Sequence, residues 1–165
     1  MNMNKQSSVI VLTETATDHL ILTRRSEQLH DHPGDICFPG GHWQQDDVNL
    51  WATALRELQE ELGIEASRIS LISKLNAECT LKGTIITPWV ASIEQIHPYK
   101  INAEEVDSIV LLPMNEVRNK NNYQELRLTR HGVKITTCQY TASQHFIWGA
   151  TAKIMRQLVS VDSLS

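Results

Sequence analysis

The sequence predicts an α/β sandwich in which helices cover a mixed β-sheet. Short apolar, β-branched runs precede and follow a central helical segment, and a second amphipathic helix closes the chain. The 165 residues, 41% of them hydrophobic, are expected to form one domain over 1–165 with a core large enough to need no staple. No linker-like stretch and no internal repeat divides them.

The elements follow in order. Ser8 to Leu12 and His19 to Thr23 read as a hairpin or a pair of neighbouring strands. A polar stretch from Ser26 to Pro33 leads into the short apolar run Ile36 to Phe38, which is expected to stop at a turn, Pro39-Gly40-Gly41. From Val48 to Leu62 the period becomes helical: Trp51, Leu55, Leu58 and Leu62 form one stripe, with Asp46 or Asp47 as N-cap and Gly63 as the residue past the end. Leu71 to Cys79 and Thr84 to Glu94 read as strands, the second interrupted by Pro88. Glu105 to Leu112, Glu125 to Leu128 and Val133 to Tyr140 look extended, the first of them ambiguous with helix. A final helix is expected over about Ile147 to Val159.

Composition excludes several functions. Fifteen basic against nineteen acidic residues, with no basic run, leave no face for phosphate neutralisation along a nucleic acid. No apolar run approaches the ~20 residues that span a bilayer, and the polar Met1 to Ser8 lacks the core of a signal peptide. Cys37, Cys79 and Cys138 are odd in number and widely spaced, as in a reducing compartment. The expectation is a cytoplasmic protein acting on a small molecule, without nucleic acid or membrane, as a monomer or homodimer.

The chemistry concentrates in Arg56-Glu57-Leu58-Gln59-Glu60-Glu61-Leu62-Gly63-Ile64. At ~100° per residue, Glu57, Glu60 and Glu61 share an arc of roughly 100° beside the apolar stripe, at the rim of the core. Carboxylates at that spacing repel by a few tenths of a kcal/mol as a merely solvated face. A hard divalent cation reverses that sign, because Mg²⁺ takes clustered carboxylate oxygens. Arg56, four residues before Glu60, is placed to pair with it. Glu-rich helix faces are common, and three features raise this one above them. These are the Gly-Gly turn upstream, the place of the glutamates beside the apolar face, and their position towards the helix C-terminus, where the dipole disfavours negative charge.

These residues resemble the Nudix box, a glycine, an acid six residues later, and R-E-U-x-E-E-x-G-U with U aliphatic. Gly41, Asp47 and Arg56 to Ile64 stand at those positions, with Asp47 in place of the usual glutamate and one extra residue before Arg56. Upstream, Leu22-Thr23-Arg24-Arg25-Ser26, Leu29, His32, Gly34 and Phe38-Pro39-Gly40-Gly41 are similar to the coenzyme A pyrophosphatase branch of that superfamily. Thr53-Ala54-Leu55-Arg56-Glu57 and Ile147-Trp148-Gly149-Ala150-Thr151-Ala152 resemble further segments of it. His30 stands where the branch usually has arginine, and Gln44 where an aspartate is frequent.

The resemblance implies a Nudix fold, an α/β/α sandwich around a mixed β-sheet. It also implies Mg²⁺-dependent (or Mn²⁺-dependent) hydrolysis of the diphosphate bond of coenzyme A or a derivative, to 3′,5′-ADP and 4′-phosphopantetheine or its acyl form. Glu57, Glu60 and Glu61 would then be metal ligands, Glu57 or Glu60 the base and Arg56 part of the catalytic set. Arg25, Gly40 and Gly41 would face the substrate, and Glu104 or Glu105 would supply one more ligand from a loop. One alternative keeps the chemistry and changes the substrate to a dinucleotide, nucleotide sugar or nucleoside triphosphate. Another is a non-catalytic nucleotide-sensing module, against which the three intact glutamates stand. His30, His32 and His42 lack the spacing of a zinc site and read as loop residues. Cys37 has no evident base and reads as a structural thiol, Arg24 as a surface charge, and Trp43, Trp89 and Trp148 as packing residues.

Overall fold

A computed structural model describes residues 5–161. The chain opens with β1 (Gln6–Glu14) and β2 (His19–Arg25), an antiparallel pair joined by a tight turn, as the two apolar runs predict. β1 is the central strand of the main sheet. It runs parallel to β7 (Ile85–Ile93) along its whole length, from Gln6 opposite Ile85 to Glu14 opposite Ile93. Beyond β7 lie β5 (Ser70–Lys74) and the short β6 (Glu78–Cys79), and beyond β2 lies β8 (Val106–Pro113).

β1 and β2 diverge, and that divergence builds the site. β2 leaves β1 after Leu12–Ile21 and pairs instead with β3 (Ile36–Cys37), while the start of β1 pairs with β4 (Gly40–His42). The chain crosses the gap at Phe38-Pro39, where the Pro39 carbonyl accepts from the Ile10 amide at 2.9 Å. Gly40-Gly41 is therefore a strand and not the terminating turn expected from its composition. A Cβ on Gly40 would lie 2.3 Å from the Ser8 carbonyl oxygen, so only glycine lets β4 approach β1 this closely.

Helix α1 (Leu50–Leu62) lies over one face of the sheet. Ala54, Leu58 and Leu62 are fully buried against Ile10, Leu12, Ile21 and Ala91. Each buried leucine contributes about 1.5–3 kcal/mol. Gly63 ends the helix in the left-handed conformation, φ 64°, as predicted. The N-cap is Asn49, whose Oδ1 accepts from the Ala52 amide at 2.8 Å, in place of the expected Asp46 or Asp47. Asp47 is otherwise engaged, as described below.

The opposite face carries Val11, Leu20, Leu22, Val90 and Leu112, covered by the short α2 (Met114–Val117) and by α3 (Gly149–Gln157). Alternation along β1 sends Ile10 and Leu12 to α1 and Val11 to α3, so both layers share one strand. The result is a mixed sheet between helices, the predicted sandwich. A separate three-stranded sheet, β9 (Tyr123–Arg130), β10 (Val133–Tyr140) and β11 (Ile147–Trp148), leads into α3. Ile147 and Trp148 are therefore strand where helix was expected.

Pro88 does not interrupt β7. Its carbonyl accepts from the Leu75 amide, so its missing N–H faces the side where β5 has ended and β6 not yet begun. The ladder to β1 loses nothing. The ambiguous segment after Glu105 is strand β8, held antiparallel to β2 from His19–Pro113 to Arg25–Val106. Among the described residues no helix is long and apolar enough to cross a membrane.

Candidate active site

The acidic face of α1 meets two other chain segments. β4 passes beside its middle, and the loop from Tyr99 to Glu105 is pinned to its end. Lys100 and Asn102 donate their amides to the Leu62 and Glu61 carbonyls at 2.8 and 2.9 Å, satisfying helix-terminal acceptors. This docking carries Glu105 to the helix. Carboxylate oxygens of Glu57, Glu60 and Glu105 all lie within 4.8 Å of one another, the one such acidic or metal-ligating cluster among the described residues. Of the two loop acids weighed from sequence, Glu105 joins the cluster and Glu104 stays exposed.

Glu57 is held from both sides. Its Oε1 accepts from Arg56 Nη1 at 2.8 Å, and its carboxyl group lies against Gly41, where a Cβ would come within 2.6 Å of Glu57 Cδ. Gly41 is thus required by the carboxylate and not by a turn. Burial pushes the Glu57 carboxyl above its usual value, against the pull of Arg56.

Glu61 occupies a deeper place than sequence spacing implies. It is only 7% exposed and accepts from the Gly40 amide at 3.1 Å. Burial, then the charges of Glu57 and Glu105, push its carboxyl up to about 8. It is not among the three acids whose oxygens converge.

Arg56 is committed to the protein. Nε and Nη2 hold the two Asp47 oxygens at 2.8 and 3.0 Å, Nη1 holds Glu57, and Nη2 also reaches the His42 carbonyl at 3.1 Å. Its distance to Glu60, 3.4 Å, is the longest of its carboxylate contacts of this kind. Asp47 in turn accepts from the Gln44 amide and the Thr53 hydroxyl. Arg56 therefore positions Glu57 and ties β4 to α1, and it presents no free donor to a ligand in this arrangement.

Arg25 ends β2 where the β8 register shifts, a bulge that re-aims the strand end. Its guanidinium caps the Asp31 carbonyl at 2.9 Å, closing the loop between β2 and β3, and its charge lowers the carboxyl of Glu61 and the thiol of Cys37. Arg24 pairs instead with Glu27 and Asp107 at the surface. The Cys37 thiol is pushed up to about 11 by burial and by Glu61, which fits a structural thiol and not a nucleophile. Trp51 and Trp89 pack on each other, 5.7 Å apart, with the Trp89 indole N–H on Ser8.

Three convergent carboxylates, all hard oxygen donors, fit Mg²⁺ or Mn²⁺ in kind. Mounted at the open rim of an α/β/α sandwich, such a set suits an enzyme that hydrolyses a phosphoric anhydride.

Relatives agree with that class. Residues 3–132 match the NUDIX domain family. The chain is 36% identical over 145 residues to an uncharacterised Nudix hydrolase, NudL, of Yersinia pestis (strain Pestoides F), covering 88% of this chain and 73% of that one. Among solved structures, the Escherichia coli dihydroneopterin triphosphate pyrophosphohydrolase aligns with a TM-score of 0.60 at 14% identity, over 94% of each chain. A Caenorhabditis elegans Ap4A hydrolase aligns at 0.57 and 15% identity, over 66% of this chain and 80% of that one. At such identities the structural likeness is one of fold. The chain belongs to the Nudix family, and it is an enzyme of the Nudix hydrolase kind.

Proposed function

We propose that this enzyme hydrolyses the diphosphate bond of coenzyme A or a derivative, releasing 3′,5′-ADP and 4′-phosphopantetheine or its acyl form, in the cytoplasm. The observation that carries the reading is the Leu22–Gly41 segment. Its resemblance to the coenzyme A branch runs through β2, β3 and β4, the strands that bear Arg25, Gly40 and Gly41 beside the acidic helix.

One water is consumed: a P–O bond of the anhydride breaks, the water oxygen ends on one phosphate, and the two products share the protons of water. Glu57, Glu60 and Glu105 would hold the divalent cation, with Glu61, held by the Gly40 amide, as a further carboxylate beside them. When bound, that ion supplies charge neutralisation on the diphosphate. Glu57 and Glu60 are the candidate bases. Burial raises the Glu57 carboxyl, which strengthens it as a proton acceptor. Arg56 acts as a positioning residue for Glu57, and Arg25, through the Asp31 carbonyl, orders the loop that carries His30 and His32.

His30, where arginine is usual in the branch, favours one second reading, a different nucleoside diphosphate derivative, since imidazole lacks the forked donors of a guanidinium. The test is mass spectrometry of products from coenzyme A with Mg²⁺, with Glu60→Gln alongside. Release of 3′,5′-ADP by the wild type and not by the variant is expected. Faster turnover of a dinucleotide, nucleotide sugar or nucleoside triphosphate would establish the second reading instead.

A further inference from the structure

The hairpin of β9 and β10 carries a surface that hydrolysis does not use. β9 is the outer strand of its sheet and, among the described residues, pairs with β10 alone. The hairpin turns through His131 and Gly132, φ 50° and 78°, between the paired residues Arg130 and Val133, a two-residue turn of the I′ kind. In such a hairpin the closing pair is hydrogen-bonded, and bonded pairs then alternate along the strands. Arg130, Leu128 and Leu126 exchange bonds with β10. The amides and carbonyls of Thr129, Arg127 and Glu125 face the open edge, an available template for another strand.

The side chains along that edge are self-complementary. Glu125 and Arg127 flank Leu126, are 58% and 80% exposed, and meet each other at only 3.4 Å. The other side of the strand is apolar at its middle, between Gln124 and Arg130. Leu126 and Leu128 share a face with Ile135 and Val133, the last 60% exposed, beside Trp148 and the stacked, 53% exposed Phe146.

We propose that β9 pairs antiparallel with β9 of a second copy of this chain, about a two-fold axis at Leu126. Edge-facing residues must oppose edge-facing residues, so the axis passes through a residue of β9, and the three positions that bring the exposed charged pair to the axis are Glu125, Leu126 and Arg127. The first sets two carboxylates opposite each other and the third two guanidinium groups, both unfavourable. At Leu126, each Glu125 opposes the other copy's Arg127, and the two Leu126 side chains meet at the axis. The contact is isologous and closes on itself, which makes a dimer and not a fibre. It joins two three-stranded sheets into one and leaves the acidic cluster on α1 untouched.

Charge exchange tests the register. In sedimentation velocity at micromolar concentration, the wild type is expected at twice the 18.7 kDa chain mass. Arg127→Glu and Glu125→Arg, each setting like charges opposite one another, are expected to sediment as monomers with unchanged circular dichroism. The double variant Glu125→Arg/Arg127→Glu restores opposed charges and is expected to return to the dimer. A monomeric wild type, a single variant that stays dimeric, or a double variant that stays monomeric each overturns the proposal.

Discussion

Gly41 shows how a single missing side chain can govern a carboxylate. With 2.6 Å between a would-be Cβ and Glu57 Cδ, Gly41→Ala displaces that carboxyl group while β4 keeps its backbone. Since misplacing a reacting group by about 1 Å costs on the order of a hundredfold, Gly41→Ala is expected to lower kcat by about that factor with little change in melting temperature. Steady-state kinetics beside a thermal melt check both halves. Asp47 makes a separate prediction. The Arg56 guanidinium, the Gln44 amide and the Thr53 hydroxyl hold its carboxyl well below the usual carboxylate range. Its stabilisation is thus present above the unfolded value, ~4, and is lost as pH falls from there toward the folded one. Asp47→Asn leaves Arg56 without its main partner in a pair only 22% and 6% exposed, and a loss of about 3–5 kcal/mol at pH 7 is expected, shrinking toward acid pH. Denaturant titrations across acid pH measure it. Cysteine reactivity follows the same logic: exposed Cys79 is expected to alkylate first, and Cys37, its thiol up at about 11, slowly, by mass spectrometry of the intact protein.

At the scale of elements, helix α1 carries a conflict between packing and charge. Glu61 sits on its buried side, and its carboxyl lies near 8 because burial opposes ionisation. The folded chain therefore keeps a proton that the unfolded chain releases above its ordinary glutamate value. Stability contributed by this group falls as pH rises from ~4.3 and levels off above about 8. Glu61→Gln removes that slope, so in chelator the variant is expected to melt higher than the wild type at pH 8.5 and to differ little at pH 5, by ~ the sign of this linkage alone. Part of α1 was legible in sequence, because Leu58, Leu62, Glu57, Glu60 and Gly63 are local features of one period, although Leu55, expected in the stripe, is only half-buried while Thr53 and Ala54 are buried. What was not legible came from partners far along the chain. Asp47 reads as an N-cap until Arg56 is seen to hold both its oxygens, which leaves the cap to Asn49. Gly40-Gly41 reads as a turn until β1 is seen to pair with it. Glu105 stands out from Glu104 only when the loop docks on the end of α1.

Across the whole molecule, one strand ties the two layers together. β1 supplies Ile10 and Leu12 to the α1 layer and Val11 to the α3 layer, all with no exposed surface, and its parallel pairing with β7 runs its full length. Neither layer can lose its helix without uncovering residues of a strand that the other layer also needs. Unfolding is therefore expected to be a single transition, although the two cores lie on opposite faces and share no side chain. Leu58→Ala, under α1, and Ile154→Ala, under α3, are each fully enclosed truncations expected to cost about 2–5 kcal/mol. Both are expected to shift the same transition. Tryptophan fluorescence, weighted to Trp51 and Trp89 on the α1 side, and far-ultraviolet circular dichroism should then give coincident curves in either variant. If Leu58→Ala instead moved the fluorescence curve ahead of the circular dichroism, α1 would be melting by itself. The acidic rim would then ride on an element held more loosely than the sheet beneath it.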